Sequence, residues 1–291
     1  MSTVLPSAAE DAPFALPRLH WVRKHPTLIV GALLLVAIAV LSIAAPWIAR
    51  FDPQDIDPLA RMQPPSAEHW FGTDALGRDV FSRAVWGGRV SLIVGLWVGV
   101  LATVFGVLLG LVAGFVPWAD TVVMRVMDGL MAIPGILLAI ALMAVTRASL
   151  TTVIVAITIP EIPRVVRLVR SLALTLREQL YVEAAHAVGT RLPTILARHV
   201  LPNMVAPLIV QATFVAAAAV LTEAALSFLG VGIPAQTPSW GNMMAEGRNF
   251  VAVAFHIILY PGVLLAITVL AINLLGDGLR DALDPRLARQ L

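Results

Sequence analysis

Polar residues divide this chain into long apolar runs joined by short charged connections, and the length of the runs has a direct physical meaning. About 20 apolar residues cross the hydrocarbon core of a bilayer as a helix, and a helix satisfies its own backbone hydrogen bonds where no water can. Leu28–Ala49 and Val90–Ala119 carry no charge, Gly129–Thr146 follows Asp128, Val200–Thr222 runs into Glu223 and an apolar continuation, and Asn249–Gly276 holds only His256. These runs predict five spans. A sixth, Ala148–Pro160, is interrupted by Glu161. It resumes at Ile162 and Pro163, and then Arg164, Arg167 and Arg170 recur every third residue between Val and Leu. That is the pattern of a helix leaving the membrane with its arginines snorkelling outward. The expected fold is all-α and polytopic, with six transmembrane helices and both termini on one side.

Orientation follows from the basic residues of the connections. With the termini in the cytosol, thirteen of the twenty Lys and Arg fall inside and seven outside. Five of those seven lie in one long loop, where the rule weighs less. The first span has a basic flank at Arg23 and Lys24, but its core is too long for a signal sequence, so it reads as retained.

The chain then divides into a cytosolic tail at 1–27, a first transmembrane helix at 28–49, a periplasmic loop at 50–89, a five-helix core at 90–276 and a cytosolic tail at 277–291. Within the loop, Val80, Phe81, Ala84 and Val85 share one helical face and Asp79 lies four residues before Arg83, which predicts a short surface helix over Arg78–Arg89. In the second span Gly95 and Gly99, then Gly106, Gly110 and Gly114, recur four apart, a stripe that lets another backbone approach closely. Spacing leaves open whether that neighbour belongs to this chain.

The connection 171–203 is the most informative. A short helix over Glu178–Val188 is broken at Gly189, Thr190 is suited to cap a second short helix, and Leu201 and Pro202 read as a stop. Ala184, Ala185 and Ala187 make the first helix slim, as a knob seating in a groove on another protein would be. An ordinary connecting loop is the bland alternative.

Composition narrows the class. The chain is 59% hydrophobic and 13% charged, with mean hydropathy +0.87, outside the balance of a soluble domain. A net charge of +2 gives nucleic acid no purchase, and the absence of cysteine excludes disulfides, thiolate zinc and iron–sulfur clusters. Lys24 is the one lysine and no glycine-rich run precedes it, so there is no P-loop. The six histidines are scattered, and neither HExxH nor GxSxG occurs.

Five stretches resemble one family. EAAHAVG (Glu183–Gly189) followed by RHVLPN (Arg198–Asn203) is similar to the EAA motif of binding-protein-dependent importer permeases. His199 stands where that motif usually has an aliphatic residue, a departure that matches the peptide-permease branch. HWFGTDALGRDVFSR (His69–Arg83), RVMDGLMAIP (Arg125–Pro134), EAALSFLGVGIPAQTPSWGNM (Glu223–Met243) and NLLGDGLRDALDPRL (Asn273–Leu287) resemble the same branch in order. The chain is thereby identified as a member of the dipeptide, oligopeptide and nickel ABC permease family, in its C-type half. The acid in IPEIPR (Ile159–Arg164) departs from the family pattern and leaves the role of Glu161 open.

The resemblance implies a type I importer permease fold, no catalysis and no cofactor on this chain, with ATP and Mg held by partner ATPases. The implied partners are a B-type permease, two ATP-binding-cassette ATPases, an extracytoplasmic solute-binding protein and membrane lipid, in a bacterial inner membrane. Glu183, Ala184, Ala185, Gly189, Thr190, His199, Leu201 and Pro202 are then the ATPase-coupling residues; for Glu183 the competing reading is a solvated residue near Arg177 or Arg191. Charges within spans face protein or a water-filled cavity, so Glu223 either lines the path or ties helices together, the tie being favoured. Asp128 lines the path or pairs with Arg125, the pairing being favoured. Trp240 and Asn242 either contact the binding protein or form a gate, with interfacial anchoring the equal alternative for Trp240. An ion-coupled secondary transporter is the rival function. It predicts inverted repeats and broken helices at the midplane, and it leaves the elbow at Gly189 without a purpose.

Overall fold

A computed structural model describes residues 25–283. The expected N-terminal tail, apart from its last three residues, and the end of the C-terminal tail lie outside them. Among the described residues the chain is helical, with one isolated bridge between Thr73 and Asp79. Helix α1 spans Pro26–Ile43 and a single turn, α2, spans Ala45–Ile48. After the long loop come α3 (Val80–Phe115), α4 (Pro117–Met131), α5 (Gly135–Val145) and α6 (Leu150–Arg177). The remaining elements are α7 (Leu180–Ala187), α8 (Leu192–Ile195), a π turn (Leu196–Val200), α9 (Leu201–Phe228), α10 (Trp240–Gly247) and α11 (His256–Leu283).

Three sequence expectations change. The surface helix does not exist separately, because it is the first three turns of α3, one unbroken helix of 36 residues. At 1.5 Å per residue α3 is about 54 Å long, more than a hydrocarbon core of about 30 Å, so part of it extends beyond that core. The third span is broken: α4 and α5 meet at 88° across Ala132–Pro134. Pro134 has no N–H to continue α4 and its ring disfavours helical geometry in Ile133. The last span begins only at His256, after a turn of 3-10 helix over Arg248–Phe250.

By length and composition α1, α3, the continuous Leu192–Phe228 helix and α11 can each cross a membrane, and the bent pair makes a fifth if its two halves count as one span. Helix α6 runs through Glu161 without a break, as the sequence suggested, despite Pro160 and Pro163. It opens on a capping box in which Ser149 and Thr152 exchange hydrogen bonds at 3.2 and 3.0 Å.

Glycine decides how these helices meet. The stripe on α3 changes partner halfway along. Gly95 and Gly99 lie against Val220, Ala216 and Ala212 of α9, whereas Gly106, Gly110 and Gly114 lie against Val165, Val169 and Ala173 of α6. The neighbour is thus this chain in both halves. Gly31 of α1 similarly meets the α11 backbone at Leu275, and Gly278 of α11 meets that of α1 at Leu28. In lipid, where apolar burial gives helices little reason to associate, such close approach is what packing energy comes from.

Candidate functional site

The elbow between α6 and α9 is built from the inside outward. Val182 of α7 is fully buried together with Ile195, Val200 and Met204, and Ala185, Leu196 and Leu201 pack on the same cluster. That footing fixes which face of α7 points away. Glu183, Ala184, Ala187 and Val188 are exposed, and Leu180 and Val188 present 81% and 80% of their surface to the surroundings. Ala185 is turned inward, so the slim outer face consists of Ala184 and Ala187.

The helix ends in a Schellman motif. The Gly189 N–H donates to His186 O at 2.9 Å and the Thr190 N–H to Ala185 O at 3.0 Å, with Gly189 at φ +78°, a conformation that costs a residue bearing a Cβ. Thr190 therefore completes the end of α7 and does not cap α8; Arg191 occupies the N-cap of α8, without a side-chain cap. Nor do Leu201 and Pro202 stop the chain. The π turn places the Leu201 N–H on Leu196 O, five residues back, and this wider turn accommodates the Pro202 ring at the start of α9. His199 lies in the π turn with its ring 6.5 Å from that of Tyr181 on α7, while its carbonyl accepts from Asn203 Nδ2 at 2.7 Å. Leu201 is half-buried and Pro202 exposed. Among the described residues Glu183 has no ion pair, and Arg177 donates instead to Gly114 O at 3.2 Å, joining the end of α6 to that of α3.

The arginines of α6 do not snorkel freely. Arg164 pairs with Glu161 at 3.1 Å, Arg167 with Asp128 at 2.6 Å, and Arg170 grips Asp120 with two nitrogens. Asp128 is thus joined to Arg167 across helices and not to Arg125; it lies two turns after Asp120 on the face of α4 that meets α6. Two of these pairs fasten the amphipathic α4 to the segment of α6 that leads into the elbow.

At the opposite end of the bundle Glu223 is fully buried. It accepts from Ser91 Oγ of α3 at 3.1 Å and Ser227 Oγ at 2.9 Å, and the Ser239 hydroxyl before α10 faces the same carboxylate. It ties α3, α9 and α10 together. Trp240 is 1% exposed, its Nε1 donating to Ala84 O at 2.9 Å, and the indole fits a slot over Gly87 and Gly88. Asn242 Nδ2 donates to Ile233 O and Thr237 O, both at 3.2 Å. Neither residue is an interfacial anchor or presents its polar group outward; both pin the loop 229–239. We expect Glu223→Gln to leave membrane level and transport within about twofold of wild type, since an amide still bonds hydroxyls. A large loss of transport at normal level would mark Glu223 as part of the path.

Local spacing does not reveal a charged cluster beside these residues. Asp74 accepts from Arg78 Nε at 2.7 Å and from Arg83; Glu246 of α10 accepts from Arg78 at 2.6 Å and from Arg83 at 2.7 Å. Arg83 does not pair with Asp79 along its own helix. Asp79 caps α3 by accepting the Ser82 N–H at 2.7 Å and faces His69 Nδ1 at 3.0 Å. The density of charge in GTDALGRDVFSR is a visible signal, but Glu246 lies 163 residues from Arg83, too far for any helical or turn periodicity to connect them.

A bundle of membrane-crossing helices with one broken span, a buried polar tie at one end and an exposed helical knob at the other is the build of a transport permease. The chain belongs to the family of binding-protein-dependent transport system inner membrane components, which it matches over residues 102–289. Residues 20–65 match the N-terminal transmembrane domain of oligopeptide transport permease C. A Sinorhizobium fredii protein named as a probable peptide ABC transporter permease is 53% identical over 92% of each chain. The dipeptide transport system permease protein DppC of Alkalihalophilus pseudofirmus is 44% identical, covering 91% of this chain and 88% of its own. A solved inward-facing structure of the MetNI methionine ABC transporter shares the fold, with a TM-score of 0.59 at 22% identity over 69% of this chain and 97% of that one. The protein is a multi-pass permease subunit of an ATP-driven importer in the bacterial inner membrane.

Proposed function

We propose that this chain forms half of an import path for small peptides, with six spans and both termini in the cytosol, and that the α7 elbow seats in a separate ATPase subunit. The reading rests on one observation: α7 is anchored from beneath by Val182 yet leaves two large apolar side chains, Leu180 and Val188, almost fully exposed on a terminus locked by Gly189. Exposed apolar anchors on a rigid helix suit a groove on a partner. A second permease completes the path, two ATPases supply hydrolysis, and an extracytoplasmic protein delivers the cargo, for which the peptide names of the relatives are the guide.

The arginine pairs explain how movement of the elbow reaches the membrane. A displacement of α7 acts on the end of α6, and α6 is fastened to α4 through Asp120 and Asp128, so the bent α4–α5 pair follows as one body. The break at Ala132–Pro134 is also what an ion-coupled carrier would have; membership of the importer family and the exposed elbow favour the ATP-driven reading.

Leu180→Glu together with Val188→Glu tests this. Both positions are exposed, so membrane level should stay normal, while each charged apolar anchor costs about 2 kcal/mol of docking, together well beyond tenfold in affinity. The ATPases should be lost on purification and transport should fall with them. Retention of both would overturn the assignment of the elbow.

A further inference from the structure

Between α1, α3, α9 and α11 lies a groove of about 800 Å³, within the size range of sites that hold a small organic molecule. Its walls include Leu35 and Ala39 of α1, Leu96 and Val100 of α3, and Ala212 and Ala216 of α9. It runs along α3 from Arg89 to Val100 and along α9 from Ile209 to Val220, in each case about 16 Å at 1.5 Å per residue. That is about half of a hydrocarbon core of roughly 30 Å, the depth of a single leaflet. A transmembrane helix from another subunit would run the full thickness.

The polar lining is small and mostly spent. The Thr213 hydroxyl donates to Val210 O at 2.7 Å, and Ser42 is buried. Arg89 is different. Its Nε donates to Ser42 O at 2.9 Å and its Nη2 to Ile43 O at 3.0 Å, at the C-terminal end of α1, and its guanidinium lies 4.7 Å from the Trp86 ring. Among the described residues no carboxylate forms an ion pair with it. The end of the groove therefore bears a whole positive charge, half-buried and offset only by carbonyl dipoles and a ring face.

We infer that this groove holds one phospholipid with an anionic headgroup, its acyl chains against α3 and α9 and its phosphate on Arg89. Depth, apolar walls and a cation at one end together match an anionic lipid. Arginine binds phosphate by charge-assisted hydrogen bonds, and basic pockets between transmembrane helices select anionic headgroups by the same chemistry. On the topology proposed above the lipid belongs to the outer leaflet; that assignment rests on the topology, whereas the site itself does not. Filled, the groove would brace α1 against the core helices.

The test is native mass spectrometry of the assembled importer, titrated with phosphatidylglycerol and phosphatidylcholine of matched chains. Wild type should retain phosphatidylglycerol about tenfold better, the scale of a charged hydrogen bond. Arg89→Gln should abolish that preference, and Arg89→Lys should keep most of it, which separates loss of charge from loss of the tie to α1. Ala39→Phe, which fills the groove, should lower retention of both lipids, and glycerol phosphate without chains should not compete. An undiminished preference in Arg89→Gln would overturn the inference. So would an image of the assembled importer with a helix of the second permease lying in the groove.

Discussion

Arg83→Ala should be the most damaging single side-chain truncation in the outer loop, lowering stability by about 3 kcal/mol or more. Arg83 is 1% exposed and bridges Asp74 and Glu246, and removing one partner of a buried ion pair costs about 3–5 kcal/mol because the other charge is left without compensation. The effect should fall at the lower end. Asp74 keeps Arg78 at 2.7 Å, and the Glu246 side chain, 28% exposed, can recover water. Arg78→Ala should cost less, since Arg83 then still holds both acids. Thermal unfolding of the purified complex orders the two variants, and Arg83→Ala at wild-type stability would refute the account. Adding Asp74→Asn to Arg83→Ala should restore part of the loss, because Arg78, left to face both Asp74 and Glu246, then balances a single carboxylate.

Gly110→Leu should abolish accumulation in the membrane, and Gly110→Ala should already lower it. A Cβ at Gly110 would lie 2.6 Å from Val169 Cβ and 2.9 Å from Val166 O. Overpacking costs about 1–3 kcal/mol where neighbours can yield, but here the obstacle includes backbone, so α3 and α6 must separate along their length. For the same reason Val169→Ala should fail to rescue Gly110→Ala, because the offending Cβ and carbonyl both remain. Gly129 provides the contrast. Nothing lies within 4 Å of a Cβ there, and Gly129→Ala in α4 should be neutral or gain up to about 1 kcal/mol from helix propensity. Membrane levels of the four variants decide it; equal accumulation of Gly110→Leu and wild type would show that the stripe does not carry the packing.

Much of the site is legible from residue order because it depends on local rules. A glycine after a short alanine-rich helix signals a left-handed terminus, and Gly189 adopts one. The stripe of glycines signals close packing, and the packing is there. Residue order misleads where more than one segment, near or distant, can claim the same residue. It assigns Thr190 to cap the helix ahead of it, yet the Thr190 N–H closes the helix behind. It gives Asp128 the sequence neighbour Arg125, yet the packing of α4 on α6 delivers Asp128 to Arg167. Tryptophan favours interfaces, which makes Trp240 a candidate anchor, yet Gly87 and Gly88, 153 and 152 positions earlier, open a slot that buries it.

Hydrophobic periodicity and length by themselves determined that the chain is a helical membrane protein, where most of its helices run and that one connection carries a knob, because each of those properties is settled within a few turns of chain. Tertiary structure alone decided that α3 is continuous, that the glycine stripe serves two partners in succession, that Arg83 joins Asp74 to Glu246, and that Arg89, paired with no carboxylate among the described residues, stands over an apolar groove one leaflet deep. Pairing of charges and the shape left between helices depend on which surfaces meet, and in a bundle that is set by packing of the whole.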